Sequence, residues 1–250
     1  MMMKGKTNDE KMPPVMILCG GKGTRLGDMT KVTPKPMIRI GKEPILRHVM
    51  NGYAAVGCRR FILCLGYLKE EIVAYFRDNP PERQGWTVDL VDTGAETLTG
   101  GRVWRAAKRL LPTDEEFFLT YGDGVSDVDH VKVLRKHRAA KRAITISGVH
   151  PASRYGELVF KGDKVLDFAE KSYSKFYVNG GFMVVSRRFL TKYLTSSAGM
   201  MLERKPMCDA VAAGDMTIFK HEGFWQCMDT PREYELLNAM WKSGKAPWKT

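Results

Sequence analysis

Short apolar runs alternate with amphipathic stretches along most of this chain, and that alternation restricts the fold more than any other feature. Val15–Cys19 is apolar throughout and stops at Gly20-Gly21, which reads as a buried strand. Pro44 opens a helix carrying Ile45, Leu46, Val49 and Met50 on one face and ending at Gly57. Phe61–Leu65 reads as a second strand and Lys69–Arg77 as a second helix, with Ile72, Val73 and Phe76 turned one way. The pattern continues with a strand over Thr87–Val91, a helix over Val103–Leu111, a strand over Phe117–Tyr121, a helix over Val128–Ala139 and a strand over Ala143–Val149. Strands and helices in this order with short connections predict an α/β fold, with a mainly parallel β-sheet and helices on both faces.

The second half is less regular. Glu157–Phe160 and Val165–Phe168, split by Gly162-Asp163, read as a hairpin. Val178–Ser186 and Thr217–Lys220 read as strands, and Glu233–Trp241 as a helix after Pro231. These elements are expected to extend the sheet and complete a pocket, so residues 15–250 are taken as a single domain. Residues 1–14, polar and closed by Pro13-Pro14, are expected to form a disordered leader. At 250 residues, 44% hydrophobic and 27% charged, the chain is long enough to build a core without staples.

Several classes are excluded early. The five cysteines form no C-x-x-C pair, which argues against a disulfide framework or a cysteine zinc site and fits a reducing, cytoplasmic setting. The five histidines show no metal-binding spacing. No apolar stretch approaches the roughly 18 residues of a membrane span. The net charge of +12 favours anionic partners: nucleic acid, an anionic membrane or small phosphorylated substrates. The densest basic stretch, from Lys132 to Arg142, wraps around its helix and reads as a solvated surface.

In parallel sheets ligands bind beyond the carboxyl ends of the strands, and the chemically interesting residues follow strand ends here. Gly20-Gly21-Lys22-Gly23-Thr24-Arg25 follows the first strand. Its glycines let backbone N–H groups approach an anion, and Arg25 supplies charge-assisted bonds to phosphate. It is neither a P-loop nor G-x-G-x-x-G, so the alternative of a plain Gly-rich turn stays open. In Thr33-Pro34-Lys35-Pro36-Met37 the prolines exclude a helix and predict a stiff extended segment. Lys35 is then either a point charge aimed into a site or an ordinary loop lysine. Asp123, between Gly122 and Gly124, and Asp229, before Thr230, are hard oxygen ligands of the kind Mg²⁺ takes in ones and twos. They are equally a turn residue and a helix-cap neighbour, and spacing does not decide. Asp127, just before Val128, is expected to cap the helix that follows.

Together the Gly-Gly-Lys-Gly-Thr-Arg-Leu loop, Lys35-Pro36-Met37, Gly122-Asp123-Gly124, Asn179-Gly180-Gly181 and Met228-Asp229-Thr230 resemble the sugar-1-phosphate nucleotidyltransferases. Leu90–Gly94, Thr99-Gly100-Gly101-Arg102, Thr120–Val125, Gly223–Gln226 and the tail Gly244–Thr250 are similar to the cytidylyl branch of that family. The resemblance covers the chain from about Val15 to its end. It implies a Rossmann-like fold with a smaller β-rich sugar-binding elaboration in the second half. It also implies transfer of a cytidylyl group from CTP to α-D-glucose 1-phosphate, assisted by Mg²⁺, with CDP-glucose and pyrophosphate as products. Carried over onto these residues, Leu18, Gly20, Gly21, Lys22, Gly23, Thr24, Arg25, Lys35, Thr97, Arg102 and Gly122 would bind the nucleotide. Glu170, Lys171, Asn179 and Gly180 would bind the sugar phosphate, Asp123 and Asp229 would hold Mg²⁺, and Arg25, Lys35 and Asp123 would serve catalysis. The partners implied are CTP and glucose 1-phosphate in a homo-oligomer, with no nucleic acid and no membrane. Two departures stand out: the family's usual Glu-Lys-Pro is Glu170-Lys171-Ser172 here, and the segment Arg77–Trp86 is short. The same chemistry on another nucleotide or another phosphorylated acceptor is the main rival reading. A non-catalytic basic nucleotide- or nucleic-acid-binding protein is a further one.

Overall fold

Val15–Leu18 is apolar at every position because the strand is buried on both faces. Val15 and Ile17 face one core, with Phe61, Leu63 and side chains from the helices Ile45–Ala55, Lys69–Asp78 and His130–Ala140. Met16 and Leu18 face a second core, with Ile62, Cys64 and side chains from Thr99–Ala106, Arg187–Tyr193 and Lys205–Ala212. Each large apolar side chain so buried contributes about 1.5–3 kcal/mol.

The computed structural model describes residues 12–152, 156–169 and 176–249. Its main sheet has seven strands. From one edge they run Met216–Lys220, Ile144–Val149, Val178–Ser186, Glu116–Tyr121, Val15–Leu18, Arg60–Leu65 and Thr87–Asp92. Every neighbouring pair is parallel except the two made by Val178–Ser186, which runs antiparallel to both its neighbours. The expected α/β class, mainly parallel sheet and helices on both faces are thus present. Among the described residues no helix is long and apolar enough to cross a membrane.

Several local expectations are corrected. Residues 1–11 of the expected leader lie outside the described residues, but residues 12–14 do not behave as a leader. Pro13 and Pro14 are buried, and Phe118 N–H donates to the Pro14 carbonyl at 2.9 Å. The helix expected over Val103–Leu111 starts earlier and stops earlier, spanning Thr99–Ala106 with a 3₁₀ turn over Ala107–Arg109. Gly100 and Gly101 disfavour a helix intrinsically, yet both N–H groups donate to the Met200 carbonyl, so tertiary contacts fix the helix start. Lys35–Met37 is a 3₁₀ turn, not an extended segment. Pro36 is tolerated because first-turn N–H groups need no intrahelical partner. Asp129, not Asp127, caps the helix His130–Ala140, its carboxylate accepting from Lys132 N–H at 2.9 Å.

Two short antiparallel pairs are additions to the sequence reading: Arg39–Ile40 with Glu43–Pro44, and Gly124–Ser126 with Trp225–Cys227. The expected hairpin is present as Glu157–Lys161 and Lys164–Ala169. Its cross-strand pairs place Leu158, Phe160, Val165 and Phe168 on one exposed face.

Candidate active site at the carboxyl ends of the strands

The Gly124–Ser126 and Trp225–Cys227 pair explains how two aspartates 106 positions apart in number come together. Cys227 pairs with Gly124, and Met228 N–H donates to the Asp123 carbonyl at 2.9 Å. Asp123 and Asp229 therefore leave the pair side by side. The Glu233 carboxylate pins the second one, accepting from the N–H groups of Asp229 (2.7 Å) and Thr230 (2.8 Å) at the start of the helix Pro231–Lys242.

Lys35 lies between the two carboxylates. Its Nζ donates to Asp123 Oδ2 at 2.6 Å and also to Asp229 Oδ1. Arg25 reaches the other oxygen of Asp229 at 3.0 Å. Burial pulls the Lys35 ammonium down, but the charges and hydrogen bonds of Asp123 and Asp229 outweigh it and hold its pKa above the ordinary lysine value. Burial likewise pushes Asp229 up, and Lys35, followed by Arg25, more than reverses it, leaving the carboxyl below its usual range. The Cys227 thiol, 3.5 Å from Asp229, is pushed up to about 12 by burial and the neighbouring carboxylates, which keeps it a thiol.

Two clefts meet at this cluster. The first, about 390 Å³, is walled by Leu18 and the loop Gly20–Gly23 on one side and Ala95–Thr99 with Arg102 on the other. The second, about 300 Å³, is lined by Asn179, Gly180, Phe182, Trp225, Cys227 and Asp229. Arg25, Tyr121 and Asp123 line both. The structure thus gathers Leu18, Gly20 to Gly23, Arg25, Lys35, Thr97, Arg102 and Asp123 around the first cleft and Asn179 and Gly180 around the second. Thr24 stands exposed on the rim of the loop. Gly122 packs beneath, where a Cβ would lie 3.2 Å from Cys19 Sγ and from the Leu18 carbonyl oxygen. Glu170 and Lys171 lie outside the described residues.

Arg102 differs in kind from the other cleft residues. It is buried, and Nη1 donates to the carbonyls of Leu65 and Gly94 and to Thr93 Oγ1 at 2.8–3.0 Å. Nη2 donates to the carbonyls of Gly20 (2.9 Å) and Ala95 (3.0 Å). With those donors committed, Arg102 fixes the two loops that wall the cleft. Thr97 is similarly tied, its hydroxyl accepting from Arg105 at 2.8 Å. Lys22 and Glu96, one from each wall, form an ion pair at 2.8 Å across the cleft mouth.

The residues fit a divalent cation. Among the described residues no group of three or more His, Cys, Asp or Glu side chains is arranged as a metal site. The Asp123–Asp229 pair, however, is already gathered around one cationic group, Lys35 Nζ. Two hard oxygens open to a cleft suit an ion that completes its shell with water and phosphate.

The sequence reading did not single out Tyr121 or Glu203. Tyr121 belongs to the Thr120–Val125 motif, but nothing in the linear sequence ties it to Glu203, 82 positions away, which accepts from its hydroxyl.

Comparisons with known proteins bear on this geometry. The sequence pattern of the nucleotidyl transferase family matches residues 14–236. The glucose-1-phosphate cytidylyltransferase of Salmonella typhimurium is 38% identical over 94% of this chain and 98% of its own length. A probable glucose-1-phosphate cytidylyltransferase of Bacillus subtilis is 35% identical over the same shares, 94% and 98%. Among solved structures, HddC from Yersinia pseudotuberculosis superposes with a TM-score of 0.70 at 24% identity, covering 92% of this chain and 100% of that one. That likeness speaks for the fold.

Proposed function

The chain belongs to the nucleotidyl transferase family, and on that premise we propose that it transfers a cytidylyl group from CTP to α-D-glucose 1-phosphate. The observation that carries the reading is the Lys35–Asp123–Asp229 cluster at the junction of the two clefts. In this reading the nucleotide occupies the first cleft and the sugar phosphate the second. An oxygen of the sugar phosphate attacks the α-phosphorus of CTP in line, the α–β phosphoanhydride bond breaks, and pyrophosphate leaves.

The chemistry asks for charge control more than proton transfer. The nucleophile is already an anion, so no general base is required. This suits a site without a poised histidine: His130 and His137 are buried in the fold and His221 is tied to Asp127 at 3.0 Å. Two anionic substrates must approach one another, and Arg25 and Lys35 offset their charge while the two loops hold them in line. Asp123 and Asp229 would hold Mg²⁺, which when bound supplies Lewis-acid neutralisation of phosphoryl oxygens. Cytoplasmic location and a homo-oligomer belong to the same reading. Five free cysteines, three of them buried, support the first. The exposed apolar hairpin face supports the second, and sedimentation velocity decides it.

The test is pyrophosphate release with Mg²⁺ and α-D-glucose 1-phosphate, offering CTP, UTP, dTTP, GTP and ATP in turn. Preference for CTP is expected, with Asp123→Asn and Asp229→Asn folded but reduced by at least about 10²-fold. Preference for another nucleotide overturns the base assignment and leaves the reaction type. Full activity in both variants overturns the carboxylate roles.

A further inference from the structure

Tyr121 stands where the two clefts meet, and its surroundings are built to hold it still. Its ring lies against Gly181, where a Cβ would sit 2.4 Å from Tyr121 Cδ2 and where φ is +78°. Its hydroxyl donates to Glu203 Oε1. Asn179 Oδ1 accepts from Gly181 N–H at 2.8 Å, so the glycine packed against the Tyr121 ring also holds the Asn179 side chain. The second oxygen of Glu203 accepts from Thr99 Oγ1 at 2.6 Å, and Thr99 Oγ1 accepts from Leu202 N–H at 2.9 Å. Contacts thus run without a break from the second cleft to the first: Asn179 to Gly181, Gly181 to the Tyr121 ring, and the Tyr121 hydroxyl to Glu203 and Thr99.

The charge of Glu203 is the informative part. Among the described residues it has no cationic partner; its two oxygens take two hydroxyl donors instead. A carboxylate this near a site for two anions opposes their binding. It also gives the strongest acceptor available to a neutral hydroxyl. Burial, then the Glu203 charge, raise the Tyr121 phenol, so it remains a donor throughout the working pH range.

We propose that Glu203 is a positioning residue for the acceptor, acting through Tyr121 and the Gly181 backbone packed against its ring to fix Asn179 and the wall of the second cleft. The proposal rests on the functional reading above, which assigns that cleft to the sugar phosphate. A side chain that only props up the fold would lower stability or affect both substrates alike. A residue that orients the acceptor wall separates the two Michaelis constants.

The experiment is steady-state kinetics on the full chain with CTP and α-D-glucose 1-phosphate, for wild type, Glu203→Ala, Glu203→Gln, Tyr121→Phe and the Tyr121→Phe/Glu203→Ala double variant, with thermal melts alongside. Glu203→Ala is expected to raise KM for the sugar phosphate about tenfold or more, with KM for CTP changed by less than about twofold. Glu203→Gln, which keeps one carbonyl acceptor, should fall between. Tyr121→Phe should reproduce Glu203→Ala, and the double variant should be no worse than either single change, because both cut the same chain. Parallel rises in the two KM values, or a lower Tm with both constants unchanged, overturn the positioning role in an active enzyme. A wild type that turns over neither CTP nor the other nucleotides overturns the functional reading itself, and this proposal with it.

Discussion

Gly20 and Gly21 look interchangeable in the linear motif but stand in different surroundings. A Cβ on Gly20 would lie 2.1 Å from Arg102 Nη1, and one on Gly66 2.2 Å from the same atom. Around Gly21 nothing lies within 4 Å. Arg102 is sandwiched between two glycine backbones, so Gly20→Ala must dislodge a buried guanidinium from its carbonyl acceptors. We expect Gly20→Ala to cost about 2–4 kcal/mol and Gly21→Ala no more than about 0.5 kcal/mol. Urea unfolding of the two variants checks this, and equal midpoints would remove Arg102 as the reason for the first glycine. The glycine was legible in the sequence but its reason was not, because its partner lies 82 positions away. The same holds for Lys35, whose carboxylate partners are 88 and 194 positions distant. The residues of the site could be named from motifs, whereas their mutual contacts depend on the fold.

At the scale of elements, periodicity revealed the seven sheet strands and most helices, because long apolar or amphipathic runs carry that signal. It missed Gly124–Ser126 and Trp225–Cys227, whose three residues each are too short to show alternation. It missed also the helices Met29–Val32, Arg187–Tyr193 and Lys205–Ala212. The C-terminal tail is a further such case: its sequence marks a family branch, while its packing supports the site. Trp248 is buried and stacks on Phe224 with ring centroids 5.3 Å apart. The Phe224 carbonyl accepts from Ser126 Oγ at 2.7 Å and from Asp127 N–H at 3.3 Å, anchoring the short pair that leads to Asp229. Trp248→Ala is expected to destabilise by about 3–5 kcal/mol. Turnover should also fall at temperatures where the variant is fully folded by circular dichroism. Lower stability with wild-type turnover under those conditions would confine the tail to packing.

For the molecule as a whole, three buried histidines set the acid limit of stability. Burial lowers His48, and takes His130 to about 3 and His137 to about 4. Unfolded, each would titrate near 6.5. Between those values the unfolded chain binds protons that the native state refuses, so stability is full above about pH 6.5 and falls as pH drops toward 4. Asp215 and Asp229, held below their ordinary values, lose their contribution only from about pH 4 downward. Urea midpoints measured from pH 7.5 to 5 should therefore decline, and His137→Gln, which retains partners for Thr145 and Ser186, should flatten the decline. An unchanged slope would exclude His137 as a source. Net charge, legible from composition, pointed to anionic ligands but not to these groups, since titration depends on burial.

The order of strands in the sheet also bears on how the chain is made. Glu116–Tyr121 is completed early, but its neighbour Val178–Ser186 is encoded roughly 60 residues later. At ordinary translation speeds that is ~3–12 s. Through that interval the nascent chain carries Phe117, Phe118 and Leu119 on a strand whose second edge has no partner yet. Such an edge is a template for pairing with other chains. Until the ribosome has delivered Ser186, the segment that later forms the floor of the active site is the one most in need of a chaperone.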